Sequence, residues 1–178
     1  MTDRTIIFVT GNAGKLGTAR THLEPLGFSV EQVSLDLDEI QSTTVADVAI
    51  HKAQQAHRAL RRPVMVEDSG FGIDELDGWP GPLIKPTLTA LGPEGLCRVA
   101  DLTKDRAARF TSVLVYIDQH GIPRVFTDEG EAGTIAKTPS AGGDEAAWSP
   151  LWDIFIPATA DTTLSTLSSG DRDRLFSA

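Results

Sequence analysis

Ile6-Ile7-Phe8-Val9-Thr10-Gly11-Asn12-Ala13-Gly14-Lys15 decides how this chain is read. A β-branched and aromatic run breaks into Gly-Asn-x-Gly-Lys, and a helical pattern follows, so the segment reads as strand, turn, helix. Such a turn points backbone N–H groups and one ammonium at whatever lies over the strand end, and a polyphosphate suits that geometry. It is not a Walker A loop. That motif needs Ser or Thr after its lysine to serve a magnesium ion, whereas Leu16 follows Lys15. A plain βα turn with a solvated lysine shares the pattern, so further motifs must decide.

The 178 residues suit a single domain spanning 1–178, long enough to bury roughly two thirds of the unfolded surface. With 40% hydrophobic and 23% charged residues the composition is globular. Apolar runs stop far short of a membrane span, so no membrane partner is expected. Thr2-Asp3-Arg4 leads into a strand rather than an apolar leader. Cys97 is the only cysteine, which excludes a disulfide scaffold or thiolate metal cluster and fits a cytoplasmic protein. The net charge of −9 argues against a nucleic acid partner, which wants a basic face. A nucleotide ligand would need local cations and a divalent metal to screen it from so acidic a chain.

Along the chain, a helix is expected from Ala19 to Leu26 with Gly27 closing it, then a strand from Phe28 to Leu35. An acidic loop, Asp36 to Gln41, precedes a helix from Val45 to about Arg61 that either Thr43 or Thr44 caps. Val64-Met65-Val66 reads as a strand ending in Glu67-Asp68-Ser69-Gly70, and Asp77 to Pro82 as a loop. Leu83 to Leu91 and Glu94 to Leu102 read as helices, Phe110 to Asp118 and Arg124 to Thr127 as a hairpin, and Gly130 to Ile135 as a strand. Ala141 to Ala147 is a small-residue loop, and a short helix falls near Leu164 to Phe176. Strands and helices mix without regular βαβ alternation, which predicts an α/β domain on a mixed sheet.

Thr10-Gly11-Asn12-x-x-Lys15, together with Glu67-Asp68-Ser69-Gly70-x-x-Ile73-Asp74-x-Leu76-x-Gly78-x-Pro80-Gly81, resembles the inosine triphosphate pyrophosphatase family. Order and spacing match through roughly the first 135 residues, including Glu39, Ala49-x-x-Lys52-Ala53, Pro82-x-Ile84-Lys85 and Gly133. The resemblance implies cleavage of non-canonical purine nucleoside triphosphates to monophosphate and pyrophosphate. It also implies an elongated two-lobed α/β fold with a central nucleotide cleft, a Mg²⁺ requirement and a homodimer.

On that footing Glu39, Glu67 and Asp68 are the expected metal carboxylates, since neighbouring acids repel unless a hard cation lies between them. Asp68 is the expected base for the attacking water, with Glu67 and Lys15 as its catalytic companions. Lys15, Lys52 and Lys85 would offset charge on the leaving pyrophosphate; for Lys52, amid Ala49, Ala53 and Ala56, the plain alternative is a snorkelling side chain. Thr10, Gly11, Asn12 and the amides up to Gly14 would hold the triphosphate, and Ser69 could donate to a phosphate, though a turn hydrogen bond explains it equally. No Gly-x-Ser-x-Gly elbow surrounds Ser69, and the four histidines lack zinc-type spacing. Asp74 is expected to brace a turn.

The family's later motifs are altered. Where it has Gly-Phe-Gly-Tyr/Trp-Asp-Pro, this chain has Glu145-Ala146-Ala147-Trp148-Ser149-Pro150-Leu151-Trp152-Asp153. One register sets Trp148 on the aromatic; the other sets Trp152-Asp153 on the aromatic and the acid. Arg172 takes a lysine's place, and Phe176-Ser177-Ala178 replaces Ser-His-Arg. Trp148, Trp152, Asp153 and Arg172 are the base-side candidates. The rivals are a relative serving another nucleotide, and a nucleotide-binding protein without turnover.

Overall fold

The computed structural model describes residues 4–140 and 149–175, with the side chains of 173 and 174 excepted. Trp148, the Ala141 to Ala147 loop and the Phe176-Ser177-Ala178 ending lie outside the described residues. The chain divides into two compact units: residues up to Ser69 with Ser112–Asp128, and Gly70–Thr111 with the residues from Glu129 onward. Strands β3 (Val64–Ile73) and β5 (Ala107–Ile117) each contribute to both. The eight strands found among the described residues run in mixed directions, as the sequence predicts.

The first unit opens with β1 (Thr5–Val9), α1 (Ala13–Leu23), β2 (Ser29–Val33) and α2 (Val45–Leu60). β1 lies parallel to both β2 and β3, and β5 pairs antiparallel with β6 (Pro123–Asp128). Strand alternation sorts the side chains to two faces. Phe8, Met65 and Val30 pack with Leu16 of α1 on one face. Ile7, Val9, Val64, Val66, Val113, Val115 and Ile117 pack with α2 on the other. On α2, Ala49, Ala53 and Ala56 are fully buried. Their small size lets the helix lie close to the sheet, and each buried valine beneath contributes about 1.5–3 kcal/mol.

Of the two candidate caps for α2, Thr44 is the one used. Its hydroxyl accepts the Asp47 amide at 3.2 Å, while Ser42 donates to the Asp47 carboxylate at 2.9 Å. α1 starts six residues earlier than the sequence reading placed it, because Asn12 caps it: its side-chain oxygen accepts from the amides of Gly14 and Lys15. β3 also overruns its expected end at Glu67-Asp68-Ser69-Gly70. Phe71 and Ile73 are buried and pair with β4 (Trp79–Gly81), which turns an expected loop into an antiparallel strand.

In the second unit, α3 (Ile84–Ala100) breaks at Gly92, whose φ of 65 separates the two expected helices just before Pro93. β7 (Ala132–Ile135) pairs with β5 and with β8 (Phe155–Pro157), a strand too short to be seen in sequence. α4 (Ser169–Leu175) follows. Phe71, Phe110 and Phe155 meet edge to face with ring centroids 4.9 to 5.8 Å apart. Asp74 does brace its turn, gripping the Arg109 guanidinium at 3.0 and 2.8 Å.

Arg106 holds this unit's interior together. It takes φ 59, and its guanidinium donates to the carbonyls of Ile135 (2.6 Å), Ala136 (2.6 Å) and Cys97 (3.0 Å) while pairing with Asp101. Arg106→Met removes those donors at once and leaves carbonyls unpaired. Urea denaturation is expected to show a loss of about 3 kcal/mol; a loss under about 1 kcal/mol would mean water replaces the guanidinium without cost.

Candidate functional site

The turn after β1 is more self-contained than the sequence implies. Besides the amides held by the Asn12 cap, the Asn12 amide donates to the Thr10 hydroxyl at 3.1 Å. The amides of Asn12 and Gly14 are thus engaged inside the turn, which corrects the expectation that the whole run of amides is offered to a ligand. The Thr10 hydroxyl proton, by contrast, still has a direction to choose. Phe8 is level with Met65 across the parallel pair, so the turn comes out beside Glu67 and Asp68.

Glu67 and Asp68 are consecutive strand residues, and their side chains therefore take opposite faces. Glu67 is on the α1 face. Its carboxylate meets the Lys15 ammonium at 2.9 Å and accepts from the Ser112 hydroxyl at 2.8 Å. Asp68 is on the α2 face, where Lys52 reaches it at 3.2 Å and also pairs with Glu39. The three carboxylates thus form two groups rather than one, and among the described residues no three acidic, histidine or cysteine side chains gather as a metal cluster. The adjacency that suggested mutual repulsion is what separates them.

Lys52 is no snorkelling side chain, since its ammonium turns back to two carboxylates. Burial works to lower its pKa, but the hydrogen bond to Glu39 and the charges of Asp68 and Glu39 outweigh it and hold the group above its ordinary value. The ammonium stays charged through the neutral range. Its contribution to stability is present below the ordinary lysine value and is lost only as pH climbs through the raised one.

Two further groups, Gln55 and Ser112, neither of them among the expected site residues, complete this unit. Gln55, one turn from Lys52 on α2, binds the acidic loop through its backbone: it accepts from the Asp38 amide at 3.0 Å and donates to the Asp38 carbonyl at 2.8 Å. That clamp presents Glu39 to Lys52. Its sequence signal is the three-residue spacing from Lys52, which puts both on one helix face. Ser112 is the other; it is polar on the strand face that carries Leu114 and Tyr116. Ser69 sits half-buried within β3, its amide donating to the Asp68 carboxylate at 3.1 Å, so it belongs to no turn.

The other expected site residues belong to the second unit. Lys85 lies exposed in the first turn of α3, within the helix expected from Leu83. Trp152 is buried and stacks under the Arg172 guanidinium at 5.2 Å. Arg172 is itself only 8% exposed and donates to the Leu164 carbonyl at 3.3 Å. Asp153 presents a buried carboxylate oxygen, Oδ1, for which the described residues provide no hydrogen-bond donor. Its carbonyl anchors Ser140, whose hydroxyl joins those of Thr163 and Ser165 in a small network.

A β-α-β opening with a capped Gly-Asn-x-Gly-Lys turn, and lysine–carboxylate groups on both faces of the neighbouring strand, defines a mixed α/β protein of the kind that handles anions. The chain belongs to the Ham1 family, whose model matches residues 6–176. It is 35% identical over 170 residues to the dITP/XTP pyrophosphatase of Methanopyrus kandleri, covering 96% of this chain and 88% of that one. To the inosine triphosphate pyrophosphatase of Yarrowia lipolytica it is 34% identical, with 96% and 87% covered. Among solved structures, a HAM1 protein from Coxiella burnetii superposes with a TM-score of 0.76 at 21% identity, covering 96% and 90% of the two chains. A nucleoside-triphosphatase / dITP/XTP pyrophosphatase from Mycobacterium abscessus gives 0.75 at 24% identity, with 96% and 91% covered. The resemblance drawn from the motifs therefore holds, and so does the mixed α/β fold. No helix among the described residues is long and apolar enough to cross a membrane.

Proposed function

We propose that this chain hydrolyses non-canonical purine nucleoside triphosphates, ITP, dITP and XTP, to the monophosphate and pyrophosphate. The observation that carries the reading is the double lysine–carboxylate arrangement beside the turn, Lys15 with Glu67 and Lys52 with Glu39 and Asp68, in a family whose curated relatives are named as such pyrophosphatases. A purely nucleotide-binding protein needs the lysines but has no use for the acids.

In this reading a water oxygen forms a bond to the α-phosphorus as the bond to the β-bridging oxygen breaks. Asp68 orients the water and takes its proton. Lys15 and Lys52 offset the charge growing on pyrophosphate as it leaves, and Lys85 is assigned the same role. Thr10 and Ser69 are the hydroxyl contacts to phosphate, with Gly11 and Asn12 shaping the turn. For the base, Trp152 supplies an aromatic wall that Arg172 braces. The unpaired Asp153 oxygen suits the N1–H of a 6-keto purine; adenine, with an acceptor at N1, would leave it unpaired and repelled.

Oxygen donors from Glu39 and Asp68 converge on one cation, the Lys52 ammonium, so they fit a hard divalent ion as well. Mg²⁺ would be held by these two carboxylates, with phosphate and water as its remaining ligands, and would screen the triphosphate charge. A homodimer working in the cytoplasm completes the proposal, and sedimentation velocity tests the dimer.

The direct test is turnover of ITP, dITP, XTP, GTP and ATP with Mg²⁺, measuring pyrophosphate and orthophosphate separately. The expected result is pyrophosphate from the first three, at rates at least about tenfold above ATP. Orthophosphate as the sole product would reject cleavage at the α-phosphorus, and binding without product would leave only a nucleotide-binding role.

A further inference from the structure

Glu67 is used differently from the other two acids. Its oxygens are divided between two partners: Oε1 accepts the Ser112 hydroxyl at 2.8 Å, and Oε2 holds the Lys15 ammonium at 2.9 Å. Lys15 bends further onto the same residue, donating to the Glu67 main-chain carbonyl at 3.4 Å. Both side chains are largely sheltered, at 17% and 15% exposure. The lysine is fixed at its other end as well, because the Asn12 cap accepts its amide proton. In the Lys52 group, by contrast, one ammonium is shared by two acids.

We infer that Ser112 and Glu67 form a positioning pair that aims the Lys15 ammonium, and that Glu67 serves as its counter-ion rather than as a metal ligand or a group touching the scissile phosphorus. A lysine side chain has about 2 kcal/mol of rotamer entropy to lose when it is fixed. An exposed ion pair alone does not hold such a side chain. A carboxylate whose second oxygen is pinned by a hydroxyl presents the first in one direction, and the ammonium follows. An ammonium has three N–H donors; one donates to the Glu67 carbonyl while the carboxylate pairs with the charge, which leaves a donor for a phosphate oxygen. The backbone alternation that puts Glu67 on the α1 face also turns it away from Glu39 and Asp68. What Lys15 then does rests on the pyrophosphohydrolase reading, whereas the aiming itself does not.

The experiment has two arms. In the first, proton–nitrogen correlation spectra of the lysine ammonium groups are recorded without nucleotide. A resolved Lys15 signal, assigned by its loss in Lys15→Gln, is expected in the native protein and in Ser112→Thr, which keeps the hydroxyl. It should vanish in Ser112→Ala, whose melting temperature shows whether the fold is kept. In the second arm, Ser112→Ala should lower kcat for ITP about tenfold with KM within about threefold, and Ser112→Thr should restore it. Glu67→Gln should leave the Mg²⁺ concentration for half-maximal rate unchanged, while Glu39→Gln raises it. Persistence of the Lys15 signal in folded Ser112→Ala, or an equal rise in Mg²⁺ requirement for Glu67→Gln and Glu39→Gln, overturns the inference. If no triphosphate is cleaved by the native protein, the functional reading fails, and the spectra still decide the positioning role.

Discussion

Asp68→Asn is expected to lower kcat for ITP by about a thousandfold or more, while nucleotide affinity stays within about tenfold of native. The substitution is nearly isosteric, so the half-buried strand position keeps its packing. The Asn oxygen can still accept the Ser69 amide that Asp68 accepts at 3.1 Å. Lys52 loses one charged partner at 3.2 Å but retains Glu39, so the phosphate-facing cation is not released. What disappears is a group able to take a proton from water. The split between kcat and affinity separates this from a binding defect, and it is measured by single-turnover kinetics alongside calorimetric titration with a slowly cleaved analogue. Lys52→Met should behave differently. It leaves two carboxylates facing one another without their shared cation, so affinity and rate should fall together. A rate for Asp68→Asn within about tenfold of native would remove Asp68 from the role of base.

The local patterns that announce the first unit were readable because each is settled within a few residues. Ile6 to Val9 is a strand by composition, and the threonine pair Thr43-Thr44 marks a helix start, of which the structure selects Thr44 as the cap. β3 runs past its expected end although Glu-Asp-Ser-Gly is a poor strand sequence taken alone. Pairing with β4 and the burial of Phe71 and Ile73 override that preference. Lys85 falls in the first turn of α3 although Pro86 follows it directly. A proline in a first helical turn costs no hydrogen bond, since the amides there have no partner inside the helix. The division of the acids could have been read from the strand itself, since consecutive residues of a strand cannot share a face. Ser112 could not be found this way, and for Gln55 the spacing gives only a helix face shared with Lys52. Their roles depend on which side chains the fold delivers to them, and spacing alone does not contain that information.

Gly133→Ala should be among the most destabilising single substitutions in the chain, costing about 4 kcal/mol or preventing folding at 37 °C. Gly133 lies in β7 opposite Pro157 of β8. A methyl group there would lie 2.1 Å from the Ile156 carbonyl oxygen and 2.7 Å from the Phe155 ring. Neither neighbour can yield cheaply. The carbonyl belongs to the strand paired against β7, and the Phe155 ring is fully buried in edge contact with Phe71 and Phe110. Moving β8 would also disturb Trp152 and Asp153, which lead directly into it, so any folded fraction should show weakened base discrimination along with lower stability. Gly17→Ala is the matched control. Its added methyl meets nothing within 4 Å on α1, and replacing glycine inside a helix is expected to stabilise by about 0.5–1 kcal/mol. Chemical denaturation of the two variants should therefore move the midpoint in opposite directions. A Gly133→Ala protein as stable as the native one would show that β7 and β8 separate readily, and the tight backbone approach would then not be what holds this end of the second unit.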